Sequence, residues 1–154
     1  MTPPGPVLVA GASGFVGSRL CPALTAAGHQ VRAMTRHPDS YHGDGVAVHG
    51  DVHDAATLSN ALDGCRAVYY LVHSLDSKDF ERLDAEAARA FGDAAAAAGV
   101  QQIIYLGGLG SETDTLSSHL RSRREVESLL GSAGVPVTVL RAGIIVGSGG
   151  ISGR

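Results

Sequence analysis

The sequence predicts an α/β domain with a doubly wound parallel sheet of about six strands. Short apolar runs alternate with helix-like segments along the whole chain, which is the pattern of repeated strand–helix units. The apolar runs are nearly continuous, which indicates strands buried on both faces. A chain of 154 residues, 44% hydrophobic and 18% charged, can form a core of its own. We therefore expect one domain over residues 1–154.

The first half of the chain predicts three strands and two helices. The strands are expected over residues 6–10, 30–35 and 46–49. The helices are expected over 15–27 and 55–62, and they end at Gly28 and Gly64, because glycine favours the left-handed residue that follows a helix. A loop that contains proline and glycine joins the second and third strands over 37–45.

The second half repeats the alternation. Strands are expected over 67–72, 102–106 and 135–140. A long amphipathic helix is expected over 78–98, with apolar residues at helical spacing and Gly99 as its end. A further helix is expected over 116–130, before Gly131 and Gly134.

A glycine-rich turn after the first strand predicts a dinucleotide site. Gly11, Gly14 and Gly17 follow the apolar run at residues 7–10 and open the first helix. Gly11 permits a sharp turn, Gly14 permits close approach to a pyrophosphate, and Gly17 permits close packing of the helix on the sheet. The amides that reach the phosphates are expected from the neighbouring residues Ser13, Phe15 and Val16.

This turn resembles that of the extended and atypical short-chain dehydrogenase/reductases, which have the Rossmann fold. The chain is similar to their atypical NAD(P)H-binding group, which includes proteins like an accessory subunit of mitochondrial complex I. Further resemblances, over essentially the whole chain, are at 50–52 (GDV), 105–110 (YLGGLG) and 141–147 (RAGIIVG). The resemblance implies a bound nicotinamide dinucleotide, with Asp51 and Val52 at the adenine and with Leu71 among the cofactor contacts.

His73 follows the fourth strand at the carboxyl edge, where open α/β sheets bind ligands. It is expected to line the channel for the nicotinamide ribose, and the alternative is an ordinary loop histidine.

The residues after the second strand favour NADP(H). An NAD site of this type has an acidic residue there, which binds both ribose hydroxyls. Here the strand ends in Arg36 and His37 with no carboxylate, and a guanidinium suits a 2′-phosphate. Arg32, within the strand, is the weaker candidate. NAD(H) stays an alternative, in which Arg36 is a solvated loop residue.

The catalytic positions depart from those of the family. Reductases of this superfamily use a tyrosine, a lysine four residues later and a serine at the end of the fifth strand. The matching positions here are His119, Arg123 and either Gly107 or Gly108. We therefore expect a dinucleotide-binding protein without this Ser–Tyr–Lys catalysis. The alternative is an oxidoreductase or epimerase-like enzyme in which His119 donates the proton and Arg123 holds the cofactor.

Composition excludes several other classes. The net charge of −3 and the absence of a basic tract argue against nucleic acid as a partner. Cys21 and Cys65 predict two buried, reduced thiols. His49, Asp51 and His53 alternate along the chain, but they coincide with the adenine position, so no metal site is expected. Without a signal peptide or a membrane-spanning run, a cytoplasmic protein is expected.

The sequence after the sixth strand predicts no substrate region. Proteins of the resembled group continue into a seventh strand and a smaller substrate-binding region, whereas residues 147–154 here are rich in glycine and serine. We therefore expect either a fragment of a longer family architecture or a minimal dinucleotide-binding domain. An uncovered cofactor edge would expose apolar surface, which favours a protein partner or self-association there.

Overall fold

The computed structural model describes residues 5–72, 80–106 and 117–140, and at 80–81 and 117–123 it describes the backbone alone. Six strands form one sheet in the order β3-β2-β1-β4-β5-β6, and every neighbouring pair is parallel. The predicted fold class is therefore confirmed. The strand bounds are β1 Val7–Ala10, β2 Val31–Thr35, β3 Val46–His49, β4 Ala67–Tyr70, β5 Gln102–Leu106 and β6 Val137–Leu140.

The order in which successive strands are added to the sheet reverses between β1 and β4. From β1 the chain moves outward through β2 to β3, and then returns to β4 on the other side of β1. In open parallel sheets, ligands bind in the crevice beyond the carboxyl ends of the strands at such a reversal. The fold alone therefore indicates where a site lies.

The described residues include four α-helices: α1 Phe15–Ala26, α2 Leu58–Leu62, α3 Phe80–Ala97 and α4 Ser117–Leu130. The single helix expected over 55–62 is divided, because Ala55–Thr57 form a 3₁₀ turn before α2 begins. A second 3₁₀ turn, Pro38–Ser40, lies within the expected loop. The expected first residues of the last two helices, Lys78 and Leu116, lie outside the described residues.

Four strands are shorter than predicted, β1 and β2 by one residue and β4 and β6 by two. β4 stops at Tyr70, which pairs with Ala10 at the end of β1, and the Ala10 carbonyl accepts the Leu71 N–H at 3.0 Å. β6 begins at Val137 and not at residue 135. Pro136 precedes it and has no N–H to donate, although its carbonyl accepts the Ile103 N–H at 2.9 Å.

Alternate residues of the strands supply two cores, one on each face of the sheet. Leu8 of β1 faces the larger core, to which α2, α3 and α4 contribute. Val9 faces the smaller core, to which α1 contributes Cys21 and Leu24. Both cysteines are buried and free, as predicted, and burial raises the pKa of the Cys21 and Cys65 thiols. The sheet is thus covered by helices on both faces.

Three aromatic rings pack together in the larger core near the carboxyl ends of β4 and β5. The ring of Tyr70 lies 4.9 Å from that of Phe91 and 6.1 Å from that of Tyr105, between centroids. Burial raises the pKa of Tyr70, and the nearby Asp84 and Tyr105 raise it further. The tilted rings fix α3 against the centre of the sheet.

The contact between α3 and α4 requires a glycine. A Cβ added at Gly92 would lie 2.5 Å from the Leu130 carbonyl oxygen and 3.0 Å from the Leu129 carbonyl oxygen. Both obstacles are backbone atoms, which cannot move without displacing the end of α4. Gly92 therefore sets how closely the two helices approach.

We expect Gly92→Ala to lower the free energy of unfolding by about 1–3 kcal/mol, because the new methyl group overpacks this contact. Helix propensity alone predicts the opposite sign, a gain of about 1 kcal/mol. Chemical denaturation measures the difference, and Asp93→Ala at the neighbouring exposed position is the matched control. A Gly92→Ala protein at least as stable as wild type would contradict the packing argument.

Candidate dinucleotide-binding site

The loops that follow β1, β2, β3 and β4 together form a cleft of about 440 Å³ at the carboxyl edge of the sheet. Its lining comes from those four loops and from the last two residues of β2: Gly11, Ser13, Gly14, Met34, Thr35, Arg36, His37, Gly50, Asp51, Val52, His53, Leu71 and Val72. The cleft thus lies at the reversal of strand order described above.

A second hollow, of about 540 Å³, lies between α3 and α4. It is lined mainly by charged residues, including Arg82 and Glu86, which form an ion pair one turn apart at 3.1 Å. Both of these side chains are more exposed than buried, at 59% and 62%. Although this hollow is larger, it lacks the convergent loop ends of the cleft, so we assign the candidate site to the cleft.

The β1–α1 turn forms one wall of the cleft. Gly11 has φ +92°, a conformation that side chains disfavour, and its carbonyl accepts the Gly14 N–H at 3.2 Å. α1 begins directly afterwards, since the Gly14 carbonyl accepts the Ser18 N–H at 2.8 Å. First-turn amides of a helix have no acceptor within it, so this end of α1 suits an anion.

The glycines of the turn have different physical roles. A Cβ added at Gly17 would lie 2.8 Å from the Cα and O atoms of Ala12 and still closer to the Gly11 oxygen. A Cβ added at Gly14 would meet only the Gly11 oxygen, at an ordinary 3.5 Å. Gly17 therefore permits α1 to pack against the turn itself, rather than against the sheet as expected. The protein's own packing leaves room for a side chain at Gly14.

The two arginines of the β2 region lie in different surroundings. Arg36 is exposed and lines the cleft directly after β2. Arg32 donates from Nη1 to the carbonyl oxygens of Ala61, at 2.8 Å, and Asp63, at 2.7 Å. Arg32 is thus bonded to the end of α2, where a cation also stabilises the helix dipole. Of the two candidates for a 2′-phosphate, Arg36 is the one that reaches the cleft.

The loop after β3 forms the opposite wall. Gly50 joins this loop to β2 by donating its N–H to the Thr35 carbonyl at 3.1 Å. The Asp51 carboxylate accepts the His53 N–H at 2.9 Å through Oδ1. Val52 is 4% exposed and packs into the larger core, so this packing holds the wall in place.

The cleft includes most of the residues predicted for cofactor binding. These are Gly11, Ser13, Gly14, Arg36, Asp51, Val52 and Leu71. Phe15 and Val16 begin α1 beside the cleft, and the Arg19 guanidinium lies 4.1 Å from the centre of the exposed Phe15 ring. Their role as cofactor contacts stays a prediction.

The catalytic predictions, and the prediction that His73 lines the cofactor channel, are beyond what the structure describes. His73, Gly107 and Gly108 lie outside the described residues. α4 includes positions 119 and 123, which are one helical turn apart, but the side chains of His119 and Arg123 are outside the described part. The proposed roles of these two residues stay predictions.

Sequence reasoning missed part of the lining: Met34, Thr35, His37, Gly50, His53 and Val72. Each of them ends or follows a predicted parallel strand, and that position is the signal that could have identified them. Within the described residues, no group of three or more His, Cys, Asp or Glu side chains is placed to hold a metal ion. No helix in that part of the chain has the length and apolar character needed to cross a membrane.

Comparison with known proteins agrees with this geometry. Residues 11–150 match the model of a family described as NAD(P)H-binding. The chain belongs to this family. The match includes the glycine turn and the four loops that form the cleft. Binding of a nicotinamide dinucleotide, predicted from the turn, is therefore supported.

The chain is similar to two proteins named as reductases and to one solved with UDP-glucose and NAD. The ceramide reductase of Caulobacter vibrioides is 28% identical over 152 residues, which cover 94% of this chain and 48% of that protein. A structure of Citrobacter sp. triphenylmethane reductase complexed with NADP(H) has a TM-score of 0.73 at 24% identity. The match covers 88% of this chain and 48% of the reductase chain.

A structure of MoeE5 in complex with UDP-glucose and NAD has a TM-score of 0.69 at 25% identity. The match covers 89% of this chain and 53% of the MoeE5 chain. The chain spans about half the length of each of these three proteins.

We expect Gly17→Ala and Gly14→Ala to separate folding from ligand approach. Gly17→Ala should lower the free energy of unfolding by about 2–3 kcal/mol, because its methyl group overlaps the backbone of the turn. Gly14→Ala should lower it by about 1 kcal/mol or less, the difference between glycine and alanine at a helix N-cap. Denaturant titration measures both, and equal losses would contradict the distinct roles of the two glycines.

Proposed function

We propose that this chain binds NADP(H) in preference to NAD(H), with the dinucleotide lying along the cleft. The pyrophosphate meets the amino end of α1, the adenine lies against Asp51 and Val52, and the 2′-phosphate meets Arg36. The single observation that carries the preference is the exposed Arg36 at the cleft, directly after β2. This is the position at which NAD sites of this type have a carboxylate.

The charges of the lining support this assignment. Asp51 is the one acidic residue among the described lining residues, and its Oδ1 already accepts a backbone N–H. The cationic candidates are Arg36 with the neighbouring His37, and His53 across the cleft. A 2′-phosphate carries up to two negative charges and presents several acceptor oxygens, which a guanidinium can bind in a bidentate manner.

The fold does not decide between the two cofactors. Triphenylmethane reductase was solved with NADP(H) and MoeE5 with NAD, on the same architecture. The choice must therefore come from individual residues beside the adenosine ribose. Here Arg32 is bonded to the end of α2, which leaves Arg36 as the arginine of this region available for the phosphate.

We expect Arg36→Ala to weaken NADPH binding about 10- to 100-fold, since charge-assisted hydrogen bonds contribute about 1.5–3 kcal/mol. NADH binding should change by less than about 2-fold, because NADH lacks the 2′-phosphate. Calorimetric titration of both cofactors measures this.

Arg89→Ala removes an exposed arginine of α3 outside the cleft and is the matched control. Equal affinity of the wild-type protein for the two cofactors would disprove the preference, and binding of neither would disprove the site.

We propose further that binding occurs without the usual Ser–Tyr–Lys catalysis. The matching positions carry Gly107 or Gly108, His119 and Arg123, and glycine has no hydroxyl with which to orient a carbonyl. Position 119 carries an imidazole in place of the tyrosine hydroxyl, and the guanidinium at position 123 stays protonated and cannot exchange a proton as a lysine can.

The similarity to a ceramide reductase over 94% of this chain favours a second candidate function, an NAD(P)-dependent oxidoreductase or epimerase-like enzyme. In that enzyme His119 is the proton donor, since imidazole titrates near neutral pH. We also propose that a partner protein or a second copy of this chain covers the cofactor edge of the sheet.

His119→Ala distinguishes the two candidates. If the chain binds the cofactor without turnover, neither the wild-type protein nor the His119→Ala variant oxidises NADPH with a panel of carbonyl substrates. Under the second, the wild-type protein oxidises NADPH, and the variant loses about 100-fold or more of that rate, the usual contribution of a general acid. Absorbance at the reduced nicotinamide band follows the reaction. NADPH affinity should stay nearly unchanged in both cases, and its loss would show that His119 contacts the cofactor instead.

A further inference from the structure

Thr57 stands at the N-cap of α2, yet its side chain makes no capping bond. Threonine at this position ordinarily accepts a hydrogen bond from a backbone N–H of the helix's first turn. The preceding 3₁₀ turn has an acceptor of its own, since Asp54 Oδ1 receives the Ala56 N–H at 3.3 Å. The stability of α2 therefore does not explain where the Thr57 hydroxyl points.

The hydroxyl turns back instead to the loop that follows β3. Thr57 Oγ1 accepts the Asp51 N–H at 2.9 Å. It lies 2.8 Å from the Asp54 carbonyl oxygen and 3.2 Å from that of Asp51, and its one hydrogen suits the shorter contact. One hydroxyl therefore fixes the backbone of Asp51 from six residues away.

Other bonds make residues 51–57 a closed unit. The Asp54 N–H donates to the Asp51 carbonyl at 2.9 Å, and the Thr57 N–H donates to the Asp54 carbonyl at 3.0 Å. The Asp51 carboxylate holds the His53 N–H through Oδ1. Among the described residues, nothing in the protein bonds Oδ2 of Asp51. The unit therefore holds the backbone of Asp51 in one conformation and leaves its Oδ2 as an acceptor.

We propose that Thr57 is a positioning residue for the base of the bound dinucleotide. Its hydroxyl fixes Asp51 so that Oδ2 accepts a hydrogen from the exocyclic amino group of adenine. Without the hydroxyl, the partly buried Asp51 N–H loses its acceptor and the carboxylate loses its orientation. The inference rests on the proposed dinucleotide site, and it predicts discrimination between a 6-amino and a 6-oxo purine.

The test compares NADPH with its hypoxanthine analogue, in which a 6-oxo group replaces the amino group. The proteins are wild type, Thr57→Val, which has the same shape without the hydroxyl, and Thr57→Ser, which keeps the hydroxyl. Ser59→Ala removes an exposed hydroxyl from α2 and is the matched control. Calorimetric titration gives each affinity, and reduced nicotinamide mononucleotide, which lacks the adenosine half, is a third probe.

We expect wild type to bind NADPH at least about 10-fold more tightly than the analogue, because a carboxylate accepts from an amino group and repels an oxo group. Thr57→Val should bring that ratio close to one while leaving mononucleotide affinity unchanged. Thr57→Ser and Ser59→Ala should keep the wild-type ratio. A merely structural role would weaken all three ligands together and would overturn the inference.

The outcomes separate this inference from the proposed function. If wild type binds NADPH but Thr57→Val keeps the wild-type ratio, Thr57 has no positioning role and the site stands. If wild type binds none of the probes, the proposed function fails and this inference fails with it. Should Thr57→Val not fold, hydrogen exchange of the wild-type Asp51 amide decides: slow exchange supports the bond to Thr57, and exchange at the rate of an open loop overturns it.

Discussion

The close contact between α1 and the turn before it is the constraint on which the rest of the site depends. Gly17 has backbone atoms of Ala12 where a side chain would be. This contact brings the amino end of α1 to the carboxyl edge of β1, at the reversal of strand order. Leu71, directly after β4, packs behind Gly11, so the turn is supported from beside the neighbouring strand as well. The remaining loops only complete a cleft whose wall at the amino end of α1 is already fixed.

The sheet could be predicted because its strands are short apolar runs with glycines or polar loops between them. Alternation with helices implied parallel strands, and the structure agrees. The ends of elements were less predictable, because they depend on bonds between distant residues. The helix expected over 55–62 is divided where Thr57 bonds to Asp51, six positions earlier. No local propensity reports a bond of that kind.

The candidate site shows the same division between local and non-local information. Gly11, Gly14 and Arg36 follow strand ends in recognisable local patterns, so the sequence suffices to single them out. His37, Gly50 and His53 become neighbours in one cleft only when separate loops meet. The two arginines near β2 illustrate the limit well. Sequence ranked Arg36 above Arg32, but only the folded chain reveals that the end of α2 engages Arg32.

The glycine contact between α3 and α4 has a consequence at the other end of α4. Gly92 meets the last residues of this 14-residue helix, and position 119 lies eleven residues earlier, about 16 Å away along the axis. A tilt of about 5° about the contact would shift the backbone at His119 by about 1.4 Å, a displacement on the scale that controls proton transfer. Under the proposal that His119 donates a proton, the backbone position of this residue depends on helix packing remote from the cleft. On that proposal, a substitution at the α3–α4 contact would change reactivity without any change to the cleft.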